Sequence, residues 1–246
     1  MQYYGMTDTG MQRKENQDRI EIPLKQNDAK LFIVADGMGG ANAGGVASKM
    51  AIEYIKNAIL DGIEETNYEK ENLEELIRKS IVDANRYVYN KAKENKDYSG
   101  MGTTVSVALI VKNKVYIGHI GDSRIYRIRK HIMRQLTHDH SYVQELVKNG
   151  TITKKEAETH PQKNILLKVL GCEPNVEPDV MVKGFIKEDI LLLCSDGLTN
   201  MVDKDEIYEV VTNEKNKLEN ACNILVSEAK KNGGYDNISV ILIFND

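Results

Sequence analysis

The feature that most constrains this chain is an apolar run that stops on an aspartate and a group of glycines, residues 31–40, LFIVADGMGG. Five consecutive apolar residues, 31–35, are too few for a free-standing helix and are β-branched or aromatic in the middle, so they read as a strand buried on both faces. Asp36 stands at the tip of that strand. Gly37, Gly39 and Gly40 follow, and they let the backbone come close to whatever the carboxylate faces. Asp-Gly is also the commonest turn dipeptide, so this segment alone leaves a plain turn open.

The device recurs. Residues 190–194 form a second unbroken apolar run, ended by Ser195-Asp196-Gly197. A third copy is inverted, with Asp236-Asn237 just before the apolar run 238–244. If this last strand runs antiparallel to the other two, Asp36, Asp196 and Asp236 land on one edge of the sheet. Carboxylates crowded there repel one another unless a cation sits between them. The natural occupants of such an all-oxygen site are the hard divalent ions Mg2+ and Mn2+.

At 246 residues without a Pro/Gly/Ser-rich or charge-run linker, the chain suits one domain, 1–246. The net charge of -4, with no basic stripe, argues against a nucleic-acid binder. Cys172, Cys194 and Cys222 lack C-x-x-C spacing and read as reduced thiols. The opening Met1-Gln2-Tyr3-Tyr4 lacks a basic and an apolar signal region, and no run approaches membrane-spanning length. These features predict a soluble, cytoplasmic protein with no membrane partner.

Along the chain, 3–7 reads as a strand leading to a polar loop, MQRKENQD, which carries Arg13 and Asp18, and 19–22 as a second strand. Apolar stripes predict helices over 43–60 and about 68–94, whose faces are for packing. The period then changes to two: 103–111, 115–120 and 124–129 read as an antiparallel meander, extended by 132–136. In that reading Asp122 sits at a tight turn, where aspartate is the default resident. The mostly polar segment of about 137–172, with short helices over 141–148 and 153–158, has the form of a mobile flap over a site. Strands near 180–183 and over the two remaining apolar runs, with helices at about 203–212 and 217–230, complete an α+β chain. Helices that come in pairs after runs of strands predict a four-layer αββα sandwich: two mostly antiparallel sheets face to face, with helices on both outer faces.

Taken together, the motifs R-K-E-N-Q-D (13–18), V-A-D-G-M-G-G (34–40), M-G-T-T (101–104), H-I-G-D-S-R (119–124), L-T-H-D-H-S (136–141), H-P…N-x-L…L-G (160–171), C-S-D-G-L (194–198) and Y-D-N-I-S (235–239) carry a family resemblance. In this order they resemble the bacterial metal-dependent serine/threonine protein phosphatases of the PPM family, type 2C. The resemblance implies that Asp36 bridges two Mn2+ or Mg2+ ions, that the Gly37 carbonyl ligates one of them, and that Asp196 and Asp236 hold the other. It implies that Asp18 accepts hydrogen bonds from metal-bound water and orients it, and that Arg13 grips the substrate phosphate with its planar fork of donors. It further implies a third, weaker metal, with Asp122 and Asp196 as ligands. The implied reaction is hydrolysis of phosphoserine and phosphothreonine on proteins by a water that the two metals activate, opposing a bacterial Ser/Thr kinase, with the phosphatase expected to be a monomer.

Two ions about 3.5 to 4 Å apart can share and acidify a water, so no protein nucleophile is required. Ser195 and Cys194 are then read as turn chemistry and strand packing. The chain departs from many relatives at Met38 and Ala41, where a histidine is invoked as general acid, at Gly45, where an acidic residue is common, and at Gln17. His119, His131, His138, His140 and His160 read as loop and hairpin residues. One rival is a catalytically weak or inactive phosphatase-fold binding module, which predicts losses among the metal aspartates. The other is a nucleotide-binding enzyme using DGMGG, which lacks both glycine-loop signatures.

Overall fold

The structure, a computed structural model, describes residues 1–23, 29–40 and 43–246; Ala41 therefore lies outside the described residues. The chain runs β1 (Gln2–Asp8), β2 (Arg19–Glu21), β3 (Ala29–Ala35), β4 (Gly37–Met38), α1 (Ala43–Gly62) and α2 (Lys70–Glu94). Then come β5 (Gly102–Thr103), β6 (Val105–Val111), β7 (Lys114–Ile120), β8 (Arg124–Arg129), β9 (Ile132–Gln135), α3 (Tyr142–Lys148) and α4 (Lys154–Glu158). The last third is β10 (Asp179–Gly184), β11 (Ile190–Cys194), α5 (Asp196–Thr199), α6 (Lys204–Asn213), α7 (Leu218–Lys231) and β12 (Ile238–Phe244).

The strands form two five-stranded sheets, ordered β1-β12-β11-β8-β9 and β10-β7-β6-β3-β2, with β4 and β5 paired separately. Every pairing is antiparallel. Side-chain alternation sorts each central strand onto two apolar layers. Phe32 and Val34 of β3 meet Leu191, Leu193, Ile241 and Ile243 between the sheets. Leu31, Ile33 and Ala35 join Val105, Val107 and Leu109 of β6 under Ile55, Ile59, Ile77 and Ile81 of α1 and α2. On the opposite outer face Leu192, Val240 and Leu242 pack with Ile207 and Val211 of α6 and Leu225 and Val226 of α7. The predicted four-layer α+β sandwich is thus what the chain builds. Each fully buried Ile, Leu or Val contributes about 1.5–3 kcal/mol, so these layers are the main source of stability.

The meander expected over 103–129 is corrected at its last turn. β7 pairs with β6 and β10, whereas β8 pairs with β11 and β9, so Gly121-Asp122-Ser123 carries the chain from one sheet to the other. Gly121 adopts φ +105°, and a Cβ on it would lie 2.5 Å from Thr104 Cγ2, so the crossing needs glycine there. The expectation that one sheet edge gathers the three aspartates is corrected as well, because β3 lies in the second sheet and only β11 and β12 are neighbours. α5 begins directly after Ser195, a helix that the apolar pattern did not predict.

The 137–172 segment contributes α3 and α4, is closed on itself by the bridge Ser141↔Leu166 and is tied to the body by the bridge Thr103↔Leu170. Ser141 Oγ accepts from Gln144 N at the start of α3. Thr153 and Glu156 form a capping box on α4. Among the described residues, no helix is long and apolar enough to cross a membrane.

Candidate active site

Antiparallel pairing of β11 with β12 puts Asp196, after one strand, beside Asp236, before the other. Asp36 leaves β3 at the same end of the facing sheet, and Asp122 sits at the crossing between sheets. These four carboxyls and Arg13 line one cleft of about 780 Å³. The residues singled out in the sequence are therefore brought together, with Asp18 buried behind them.

Asp36 is held by its peptide. Its N–H donates to Thr104 Oγ1 (3.0 Å), and its carbonyl accepts from Thr104 N (2.8 Å) and Thr103 Oγ1 (2.9 Å). Gly37 is packed backbone to backbone against the start of α1: a Cβ on it would fall 2.1 Å from Gly44 O. Asp196 Oδ2 accepts from Asn200 Nδ2 (2.9 Å). Asp236 Oδ1 accepts from Asn237 N (2.8 Å), and its Oδ2 pairs with Arg13 (2.8 Å). Asp18 Oδ2 accepts from Ser195 Oγ (2.7 Å).

Crowding and burial raise the proton affinity of this cluster. Burial pushes Asp36 well above the usual carboxylate range, and the charges of Asp18, Asp196, Asp122 and Asp236 add to it. Asp18 is pushed up to about 7 by burial, against the hydrogen bond from Ser195 and with the charges of Asp196 and Asp236. Asp122 rises to about 8 through burial and the charges of Asp196 and Asp139, against Arg124. Asp196 rises through burial and the charge of Asp236, while Asp36, Arg124 and Asn200 oppose the shift.

This donor set fits hard cations. Asp18 Oδ1 and Asp196 Oδ1 are buried without a hydrogen-bond partner, a costly state for acceptors that a cation or its bound water would relieve. No three His, Cys, Asp or Glu side chains among the described residues close a ligand set by themselves. Mg2+ characteristically keeps several waters and takes one or two carboxylates.

Three features escaped the sequence reading. Ser195 orients Asp18 and also accepts from Ser239 N (3.0 Å), so its hydroxyl is already engaged. Asn237 fastens the Arg13 loop: its Nδ2 donates to Thr9 O (2.9 Å) and Glu15 O (3.0 Å), and its Oδ1 accepts from Gln17 N (2.8 Å). His119, read as a hairpin residue, is fully buried. Each lies inside a quoted motif, but only its partners show its role. Met38 lines the cleft, and no histidine does among the described residues.

The sequence model of the family described as "Protein phosphatase 2C" matches residues 11–227. Serine/threonine phosphatase stp of Listeria monocytogenes is 42% identical over 242 residues, covering 98% of this chain and 94% of that protein. The structure of the Streptococcus agalactiae serine/threonine phosphatase superposes with a TM-score of 0.89 at 37% identity, covering 100% of this chain and 99% of the other. The catalytic domain of the serine threonine protein phosphatase PstP, solved in complex with two manganese ions, superposes with a TM-score of 0.81 at 30% identity, covering 98% and 96%. Family match, full-length identity and fold agree with a cleft built of carboxyls, and this chain belongs to the protein phosphatase 2C family as a serine/threonine protein phosphatase.

Proposed function

We propose that this phosphatase hydrolyses phosphoserine and phosphothreonine esters through a two-metal centre in the cleft. Asp36 would bridge two Mn2+ or Mg2+ ions, the Gly37 carbonyl would ligate one, and Asp196 and Asp236 would hold the other, with a third ion at Asp122 and Asp196. The observation that carries this reading is the pair of orphaned, buried oxygens, Asp18 Oδ1 and Asp196 Oδ1, inside a cluster of mutually repelling carboxyls. The metal dependence of the family and the two manganese ions of the PstP domain support it. When bound, such ions acidify a shared water and neutralise phosphoryl charge.

The chain's own residues do the rest. Asp18, aimed by Ser195, orients a water at the floor of the cleft. The Arg13 side chain is 55% exposed and rests on Asp236, so it can swing onto a phosphoryl oxygen with its donor fork. We read the whole chain as one domain with 137–172 as its flap. We further read it as a monomer that opposes a bacterial Ser/Thr kinase in a reducing cytoplasm, in keeping with the free buried thiols Cys194 and Cys222.

The test is calorimetric Mn2+ titration of wild type and Asp36→Asn, with phosphate release from a phosphothreonine peptide. Asp36→Asn should lose high-affinity Mn2+ and turnover. Two Mn2+ bound at wild-type affinity with an intact rate would sink the assignment.

A further inference from the structure

Both roots of the 137–172 segment are hydrogen-bonded, through short side chains, to the peptide of Asp36. At the far root, Thr103 N donates to Leu170 O (2.9 Å) and Leu170 N to Thr103 O (3.0 Å), while Thr103 Oγ1 donates to Asp36 O (2.9 Å). At the near root the link runs through His119. Its Nε2 lies 3.1 Å from His138 O and its Nδ1 3.0 Å from Ser106 Oγ. A carbonyl only accepts, so Nε2 carries the ring proton and, in the neutral ring, Nδ1 accepts from Ser106.

The path continues inward without a gap. The single Ser106 proton is shared between His119 Nδ1 and Ser123 O (3.2 Å), and Ser123 Oγ lies 2.7 Å from Thr104 Oγ1. Thr104 Oγ1 takes the Asp36 N–H (3.0 Å). His119, Ser106, Ser123 and Thr104 are all fully buried, so water cannot replace a missing member. Burial lowers the His119 ring to about 4, which keeps it neutral near neutral pH and supports the tautomer above. His140 reinforces the same root: its N–H donates to Gly121 O (2.8 Å), its Nδ1 accepts from Gly121 N (3.1 Å), and its ring lies 5.0 Å from that of His119.

We propose that His119 is a positioning residue for the reaction: by joining the root of the segment at His138 to the Ser106–Ser123–Thr104 hydroxyls, it sets the Asp36 peptide and thereby the aim of the Asp36 carboxylate at the metals. This rests on the reading of Asp36 as a metal ligand. A side chain hydrogen-bonded directly to a metal ligand typically governs metal affinity by about 10- to 100-fold, and His119 acts through three further side chains, so the lower end of that range applies. His119 touches neither substrate nor metal, so its effect appears first in metal affinity.

The experiment is direct Mn2+ titration by calorimetry on the full chain, far below the melting temperature, for wild type, His119→Asn, His119→Gln and Asp36→Asn. Asparagine reaches the Nδ1 position and keeps the Ser106 bond; glutamine reaches Nε2 and keeps the His138 bond. Each half-bridge should bind Mn2+ about 10-fold more weakly than wild type. Wild-type Mn2+ affinity in both, with only the metal-free melting temperature lowered, would show a purely structural histidine and overturn the inference. Should neither variant fold, Ser106→Ala breaks the same path and decides by the same titration. Asp36→Asn separates the two claims. If it binds two Mn2+ like wild type, the metal-site reading falls. If it loses Mn2+ while the His119 and Ser106 variants do not, the positioning role alone falls.

Discussion

Replacing Ser195 by alanine tests how the site is held together. In the folded protein this hydroxyl has two buried duties, donating to Asp18 Oδ2 (2.7 Å) and accepting from Ser239 N (3.0 Å). Beyond Ser195, the Ser239 hydroxyl is the other side chain that favours the charged form of Asp18, whose Oδ1 is buried without a partner. A hydrogen bond to a charged group contributes roughly 1.5–3 kcal/mol, and a buried N–H left bare costs about 1–3 kcal/mol. The two losses share one atom and do not add fully, so the expected destabilisation is about 3 kcal/mol. For a chain of this size that lowers the melting temperature by roughly 6–12 °C. The assay is thermal unfolding of the metal-free protein in mildly alkaline buffer, where Asp18 carries its charge. A shift below ~2 °C would mean that water or a neighbour satisfies Asp18, and the account of its orientation would be wrong. Turnover on a phosphopeptide should be reduced but measurable. Its complete loss with Mn2+ binding intact would show that Ser195 does more than steady Asp18.

His119 should leave a pH signature. Its ring sits at about 4 in the folded protein, mainly through burial and the charge of His140, against Asp139 and Asp179. The unfolded chain takes up a proton near 6.5 that the folded one refuses. Stability is therefore complete above that value and falls as pH drops towards 4, by on the order of 3 kcal/mol. Urea unfolding across that window should show a shallower slope in His119→Gln, and parallel slopes would disprove the burial argument. Arg13→Ala should raise KM more than it lowers kcat. It should change stability by less than about 1 kcal/mol, since its ion pair with Asp236 is solvent-exposed; a pure kcat defect would contradict the phosphate-gripping role. Gly37→Ala, whose Cβ would fall 2.1 Å from Gly44 O, should destabilise the fold by about 3 kcal/mol or more and abolish Mn2+ binding in titration. A folded, Mn2+-binding variant would show that β4 and α1 can part.

Local pattern determined the elements. Doubly buried strands such as 31–35 and 190–194 betray themselves by unbroken apolar runs, and the alternation of Val105, Val107 and Leu109 gave the face that α1 and α2 cover. The aspartates at strand tips were legible for the same reason, since a carboxylate that interrupts such a run demands a partner. Period, however, carries no information about which strand lies alongside which. Gly-Asp-Ser serves a hairpin and a crossing between sheets equally well, so only the tertiary pairing shows that residues 121–123 change sheets and carry Asp122 into the cleft. The contact from Ser195 to Asp18 spans 177 residues, and Asn237 holds a loop 222 residues away at Glu15. Such bonds depend on relative placement of whole layers, which the hydrophobic effect sets collectively and without direction. What the chain spells out locally is which groups it has to bury or to charge; where those groups meet is decided by the packing of two sheets.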